Sequence, residues 1–203
     1  MKNMILVALL VVLVSGCDSK PKAPFGFEWG QTVDETISQN LKGAKVSDKD
    51  GFLAFVSAES APEPVQYEGK YFLSFTKGLG LTSATFSTGV DKNGYFFNQG
   101  RTTYNSIAQK LEEKYGKPKK VTENVERDGN EFYECIKNES CGQWEREYSK
   151  DGMKIILKVE SKYGSLIDDF PKGDVSVRYE YLTKEMIQKV NSVEKEKEKS
   201  NNF

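Results

Sequence analysis

Residues 175–181, VSVRYEY, alternate between apolar and polar side chains. This period of two is typical of a β-strand that buries one face and exposes the other. A sheet with one wet face is usually antiparallel, so we predict that this strand pairs antiparallel with its neighbours. The fold of the chain is therefore expected to rest on an antiparallel sheet.

Strand patterns precede this stretch in both halves of the chain. A turn at Lys150-Asp151-Gly152 separates two alternating runs, and this order predicts a β-hairpin of residues 143–149 and 153–161. Short runs rich in Phe, Tyr, Leu and Thr predict strands at residues 52–56, 71–76 and 81–88. Residues 57–69 contain two prolines and are predicted to form a loop, and residues 119–142 are expected to be poor in strands.

Helical patterns occur in three segments. Thr32 followed by Glu35 fits a capping box, and the apolar spacing after it predicts a short helix over residues 33–41. Apolar residues along one face predict a second helix over residues 103–115, ended by Gly116. A terminal helix is predicted from about residue 186, and it leads into alternating charges that we expect to be solvated.

The order of these elements defines an α+β class, with antiparallel sheet packed on one face by helices. Two arrangements remain open. In the first, a helix-plus-three-strand unit is duplicated, and its two copies are residues 25–90 and 95–182. In the second, all the strands form one continuous sheet. We expect residues 25–182 to form the folded domain and residues 183–203 to form the terminal helix and charged tail.

Composition excludes several classes of function. The chain of 203 residues has 29 basic and 30 acidic side chains, and no basic stretch is interleaved with aromatic residues as nucleic-acid binding would require. It contains no histidine, so Ser-His-Asp and Cys-His catalysis and the H-E-x-x-H zinc site are excluded. An enzyme built from this chain would have to use carboxylate, lysine or tyrosine chemistry. No cofactor motif is present.

Cys135 and Cys141 are separated by five residues. In an oxidising compartment, a lone pair at this spacing predicts a structural disulfide. The spacing differs from the C-x-x-C of redox sites, and a zinc site would need two further ligands.

The N-terminus has the layout of an export signal. Lys2 precedes an unbroken apolar run over residues 4–14, which is too short to span a bilayer, and small residues then precede Cys17. The stretch LVSGC at residues 13–17 resembles the lipobox of bacterial lipoproteins. That resemblance implies a signal peptide at residues 1–16 that is cleaved, and acylation of Cys17 as a permanent membrane anchor.

The residues that follow Cys17 bear on where the protein would be held. By the same resemblance, Asp18 implies retention at the inner membrane, on its periplasmic side, although the outer membrane is possible. The segment that begins with Asp18, at residues 18–24, contains two prolines and no bulky apolar side chain. We therefore expect residues 17–24 to form an extended tether. Seven residues of this kind reach about 20 Å, which would keep the domain near the membrane.

Two stretches of the domain carry a further resemblance. FGFEWGQT at residues 25–32 and LEEKYGKP at residues 111–118 look like segments of small exported domains in proteobacterial lipoproteins. The helix-then-strands layout is also similar to the β-lactamase-inhibitor-like and SmpA/OmlA-like folds. In such families the sheet implies protein binding, and no binding residue is carried over to this chain.

Two groups of aromatic residues are candidates for a partner-binding surface. Phe25, Phe27 and Trp29 alternate directly after the tether, and they would either fill the core or form an exposed patch. The triplet Tyr95-Phe96-Phe97 follows a turn, and three consecutive rings cannot all be buried on one face of a strand. We therefore expect at least one of the three to be exposed.

Clustered carboxylates are the candidates for chemistry. Asp168 and Asp169, with Asp174 nearby, could serve hydrolysis or bind Ca²⁺, but their loop context favours a turn. Asp91-x-Asn93-Gly94 is similar to the start of an EF-hand loop, yet Thr102 stands where the closing glutamate should be, so a turn is expected there too.

These observations predict a membrane-anchored periplasmic lipoprotein whose domain binds another envelope protein and is not an enzyme. A narrower alternative is an inhibitor or immunity protein that covers the active site of a toxin or hydrolase. A different class, a carboxylate-dependent hydrolase of envelope polymers, would depend on Asp168 and Asp169. A passive structural or assembly role also stays open.

Overall fold

A computed structural model describes residues 22–91, 98–162, 172–184, 186–188 and 192. Three α-helices have defined bounds within these residues: α1 (Val33–Ile37), α2 (Gln99–Tyr115) and α3 (Phe132–Ile136). The strands are β1 (Lys45–Ser47), β2 (Leu53–Ala58), β3 (Lys70–Thr76), β4 (Gly80–Val90), β5 (Lys120–Val125), β6 (Gly142–Lys150), β7 (Met153–Ser161) and β8 (Gly173–Tyr181).

All eight strands belong to one sheet, in the order β1-β2-β3-β4-β8-β7-β6-β5, and every pair is antiparallel. The predicted class, an α+β fold with antiparallel sheet and helices, is therefore confirmed. The stretch that indicated this class is β8, and it lies at the centre of the sheet between β4 and β7. Val177 pairs with Phe86 on one side and with Leu157 on the other.

The sheet consists of two consecutive four-stranded meanders that meet along β4 and β8. Strands β1–β4 and β5–β8 occupy matching positions on the two sides of that junction, and α1 precedes the first meander as α2 precedes the second. Each half contains four strands, not the predicted three, because β1 and β5 were not foreseen. The sheet is continuous across the junction. Whether the halves arose by duplication stays a prediction.

One face of the sheet, here called the inner face, carries the core. Alternate side chains of the strands point to it, and helices α2 and α3 pack on its β5–β8 half. The largest fully buried side chains come from the strands, from the helices and from the segment that precedes α1: Phe27, Leu73, Leu81, Phe86, Tyr104, Phe132, Tyr148, Ile155 and Leu157. Burial of this apolar area is the main driving force for the fold.

Helix α1 starts where the capping box predicts. The Thr32 side chain accepts a hydrogen bond from the Glu35 N–H at 3.1 Å, and the Glu35 carboxylate accepts one from the Thr32 N–H at 2.6 Å. The helix is shorter than predicted, since it ends at Ile37 and Asn40 adopts a left-handed φ of 55°. Leu41 was predicted to be the last residue of this helix. It lies instead in the loop after α1, and its side chain is buried.

The region of residues 119–142 differs from the prediction. It contains strand β5 and helix α3, although its composition is polar. Strand β5 lies at the edge of the sheet, where only β6 pairs with it and most of its side chains stay at least partly exposed. Such a strand needs few apolar residues, so its sequence lacks the alternation that marks a buried strand.

Lys184, Met186, Ile187, Gln188 and Ser192 are helical, in the part of the predicted terminal helix that the structure describes. The Ile187 N–H donates to the Thr183 carbonyl at 3.0 Å. No described helix is long and apolar enough to cross a membrane. Cys17, Asp18 and residues 193–203 lie outside the described residues.

Candidate binding face

The face of the sheet opposite the core, here called the outer face, is the one on which helices α2 and α3 do not pack. The strand register places Phe55, Phe72, Thr85, Arg178 and Ile156 on it, one from each successive strand. The helices and the segment before α1 contact the other face, as in the edge contact of Phe25 with Tyr71 and of Phe132 with Trp144. Within the described ranges, a broad sheet surface is thereby left for solvent or a partner.

Three large apolar side chains lie exposed at one end of the outer face. Leu53, Phe55 and Phe72 keep 45%, 41% and 45% of their surface exposed. Leu53 and Phe55 are two residues apart on β2, and Phe72 on β3 is diagonal to Phe55, which pairs with Ser74. Diagonal residues of this kind lie roughly 7–8 Å apart, within reach of aromatic side chains. We call these three residues the β2–β3 patch.

A shallow depression lies beside this patch. It has a volume of about 290 Å³, and Lys45, Ser47, Phe55 and Phe72 are among its lining residues. Strand β1, which forms one wall, is an edge strand of only three residues, so part of its backbone has no neighbouring strand in the described part of the chain. An apolar patch next to a depression and a free sheet edge is the kind of surface that binds a protein segment.

The other half of the outer face is charged and largely self-neutralised. Lys154 and Glu147 are 3.0 Å apart on adjacent strands, and Lys158 and Glu160 are 2.5 Å apart along β7. Arg178 and Glu180 form a further ion pair on β8. Exposed pairs of this type add little stability, but they leave this half without a large field of one sign. The β2–β3 patch is therefore the apolar part of the face.

The aromatic residues after the tether do not form the exposed patch. Phe27 and Trp29 are only 0% and 3% exposed, so for these two the core alternative is correct and the surface alternative is wrong. The segment is not extended as the alternation implied, because residues 24–26 form a 3-10 turn in which Phe25 has a left-handed φ of 64°. Phe25 is partly buried and contacts Tyr71 and Tyr179 edge-on.

The remaining aromatic candidates, Tyr95, Phe96 and Phe97, lie outside the described residues. The same is true of Asp168 and Asp169. Whether these residues bind a partner or do chemistry therefore stays a prediction.

Asp174 is the one member of the aspartate group that the structure describes. It is on β8, in register with Glu160 of β7, and its carboxylate lies 2.9 Å from the Lys162 ammonium. Its side chain is 16% exposed. Asp174 is thus a strand residue with a cationic neighbour, and the loop context assumed for it does not apply.

A polar cluster that the sequence did not reveal lies at the edge of the inner face. The Glu123 carboxylate accepts hydrogen bonds from Tyr104 at 3.0 Å and from Arg146 at 2.5 Å. Burial and the Glu123 charge raise the pKa of Tyr104, and the hydrogen bond to Glu123 raises the pKa of Arg146. The Glu123 carboxylate thus accepts from two donors, Tyr104 and Arg146, and this arrangement is typical of an ion pair that stabilises the fold.

Asp91 forms a second buried cluster, and its role also was not foreseen. Its carboxylate accepts from the N–H groups of Gln99 and Gly100 at 3.0 and 2.9 Å, and from the Tyr133 hydroxyl. These contacts explain why α2 begins at Gln99, four residues before its predicted start, because the aspartate satisfies backbone donors of the first turn. Burial, followed by the hydrogen bond to Asp91, raises the pKa of Tyr133.

Cys135 and Cys141 are joined by a disulfide, as predicted, with an S–S distance of 2.10 Å and a Cα–Cα distance of 5.1 Å. The bond connects α3 to the residue before β6. Among the residues that the structure describes, no group of three or more Asp, Glu or Cys side chains is arranged to hold a metal ion.

The fold and the outer face together define a class: an α+β protein whose single antiparallel sheet carries helices on one face and, as far as the described residues extend, leaves the other face uncovered. Comparison with protein-family models, with curated proteins and with solved structures gave no match. The geometry of the chain itself must therefore carry any statement about function.

Proposed function

We propose that this protein is a membrane-anchored lipoprotein that binds another envelope protein through the outer face of its sheet and performs no chemistry. The observation that carries the proposal is the β2–β3 patch, which exposes Leu53, Phe55 and Phe72. Exposed apolar clusters next to polar surroundings mark interaction sites, and aromatic residues at such sites supply much of the binding energy.

The position of the patch supports binding by a segment of a partner protein. Phe55 and Phe72 border the depression beside β1, so an apolar side chain of the partner can be enclosed there. The polar, ion-paired half of the same face would form the rim that keeps the complex oriented. Burying two phenylalanine side chains that are now about half exposed would contribute on the order of 1–3 kcal/mol to the complex.

The proposed location follows from the sequence alone. The lipobox-like LVSGC at residues 13–17 supports acylation of Cys17 and anchoring on the periplasmic side, with Asp18 favouring the inner membrane. Metabolic labelling with a palmitate analogue tests this part: the wild-type chain should be labelled and found in membranes, whereas Cys17→Ala should be unlabelled and released. Persistent membrane association of Cys17→Ala would show that another feature anchors the protein.

Affinity capture with matched variants tests the binding role. The full chain is used as bait in a native envelope extract, beside a Phe55→Ser/Phe72→Ser double variant and a Val121→Ser control. Val121 is 51% exposed on the edge strand β5, outside the patch. We expect one partner near equal stoichiometry with the wild-type and control chains and a loss of at least tenfold with the double variant.

Two results would contradict the proposal. A partner that the double variant captures as well as the wild type would show that another surface binds. An empty capture from a bait with a cooperative unfolding transition would count against a binding role, and turnover assays on Asp168→Asn and Asp169→Asn variants would then test the hydrolase alternative.

A further inference from the structure

A cavity of about 250 Å³ lies on the inner face, on the opposite side of the sheet from the β2–β3 patch. Its floor is formed by Phe86 of β4 and by Val177 and Tyr179 of β8. These are the strands at which the two meanders meet. The cavity thus lies over the junction between the two meanders.

The walls of this cavity come from both halves of the chain. Helix α2 contributes Ile107 and Leu111, and the loop between β2 and β3 contributes Val65 and Tyr67. The Tyr67 hydroxyl donates to the Ser106 hydroxyl at 3.0 Å, so the loop is joined to helix α2 by a hydrogen bond. The lining is predominantly apolar, and water in such a space finds few hydrogen-bond partners.

Phe25 forms a further wall in an unusual backbone conformation. Its φ of 64° and ψ of 21° lie in the left-handed region, which is unfavourable for a residue with a side chain. The conformation is held by a hydrogen bond from the Glu63 N–H to the Phe25 carbonyl at 2.9 Å. Strain of this kind is retained where surrounding structure imposes it, and it is concentrated at ligand sites.

Two lysines line the cavity, and no acidic side chain of the described residues does. Lys110 and Lys114 are one helical turn apart on α2, so they share a face of the helix. Their ammonium groups lie 5.9 Å from the Tyr67 ring and 5.3 Å from the Tyr115 ring. Within the described ranges, neither lysine has a carboxylate within ion-pair distance, in contrast to Lys154 and Lys158 on the outer face.

We propose that this cavity binds a small amphiphilic anion, with a single medium-length acyl chain between α2 and the sheet and its anionic head beside Lys110 and Lys114. An apolar interior along whose wall two cations lack a carboxylate partner among the described residues is complementary to an amphiphilic anion. It is not complementary to a purely polar ligand. A volume of 250 Å³ equals about eight water-sized groups at about 30 Å³ each. It therefore holds a chain of roughly eight to ten carbons.

Photoaffinity labelling tests the proposal with the full chain in phosphatidylcholine vesicles. The probe is decanoate with a terminal diazirine, and a decylammonium probe with the same diazirine controls for charge. We expect the decanoate probe to label peptides from α2 and from residues 65–67, excess decanoate to compete, and the ammonium probe to label these peptides several-fold less. A phospholipid that carries the same diazirine chain distinguishes the source: labelling by it identifies a lipid acyl chain, and labelling by decanoate alone identifies a free fatty acid.

Variants make the test specific. Lys110→Gln and Lys114→Gln should each reduce labelling about threefold, as expected for the loss of one exposed charge. Lys70→Gln removes an exposed lysine from the outer face and should change nothing. Val65→Phe narrows the cavity from a loop position and should abolish labelling while the unfolding temperature stays within a few degrees. The proposal is overturned if the two lysine variants and Val65→Phe label as the wild type does, or if both probes label equally.

Discussion

Replacement of Asp91 by alanine is expected to be among the most destabilising single changes in the chain. Asp91 directly follows β4 and connects this central strand to α2 and α3 through three hydrogen bonds of one carboxylate. The residue is only 5% exposed, so water cannot replace the lost acceptor. Its φ of 54° is left-handed, a conformation that aspartate and asparagine tolerate better than alanine does.

The magnitude follows from these contacts. Loss of a capping side chain costs about 0.5–2 kcal/mol. Loss of the hydrogen bond between the Tyr133 hydroxyl and a charged acceptor costs about 1.5–3 kcal/mol. Placing alanine in a left-handed conformation adds about 1 kcal/mol. Allowing for overlap between the three effects, the free energy of unfolding should fall by about 4 kcal/mol.

Asp91→Asn is the matched control, because asparagine tolerates the same φ and keeps one acceptor oxygen. It should cost about 1–2 kcal/mol. Urea unfolding followed by tryptophan fluorescence measures both variants, and Tyr133→Phe completes a double-mutant cycle in which we expect a coupling of more than 1 kcal/mol. The reasoning fails if Asp91→Ala costs less than 1 kcal/mol, or if Asp91 and Tyr133 behave additively.

Three further predictions concern the disulfide and two titrating groups. Cys135→Ala should lower the free energy of unfolding by about 2 kcal/mol, since closing so short a loop removes that much entropy from the unfolded chain; thiol labelling of the unfolded, unreduced wild type that found Cys135 or Cys141 free would contradict this. Burial raises the pKa of Tyr179, so its contribution to stability should be complete below the unfolded value of about 10 and be lost as the pH rises above it; an unfolding temperature of wild type and Tyr179→Phe that falls in parallel above this pH would count against it. Hydrogen bonds from Arg101 lower the pKa of Asp128, so the stability difference between wild type and Asp128→Asn should be present above about pH 4 and shrink as the pH falls; a difference that grows in acid would refute the assignment.

The sheet could be predicted from the sequence wherever a strand buries one face. The alternation of residues 175–181 gave β8, and the turn at Lys150-Asp151-Gly152 gave the β6–β7 hairpin, because local periodicity reflects local burial. Edge strands β1 and β5 were not predicted, because an edge strand needs few apolar residues and therefore shows little alternation. The order of the strands in the sheet could not be predicted either, because it depends on contacts between segments that are distant in the sequence.

The candidate sites were predicted less well, for a physical reason. The aromatic residues after the tether were candidates for an exposed patch. Phe27 and Trp29 are in fact buried in the core, which is formed by strands that lie far away in the sequence. Phe55 and Phe72 sat in runs that predicted strands, and nothing local shows which face of a strand a helix will cover. The pairing of Cys135 with Cys141 was predictable because only one pair was available in the domain.

Site-specific photo-crosslinking in cells tests the central claim most directly. A benzophenone amino acid is placed at Phe72 in the β2–β3 patch and, as a control, at Val121 on the opposite edge of the sheet, which is exposed to a similar extent. If the outer face binds an envelope protein, the probe at Phe72 should yield one dominant crosslinked product and the probe at Val121 should not. No product at Phe72, or the same products at both positions, would contradict the claim that this face is the binding surface.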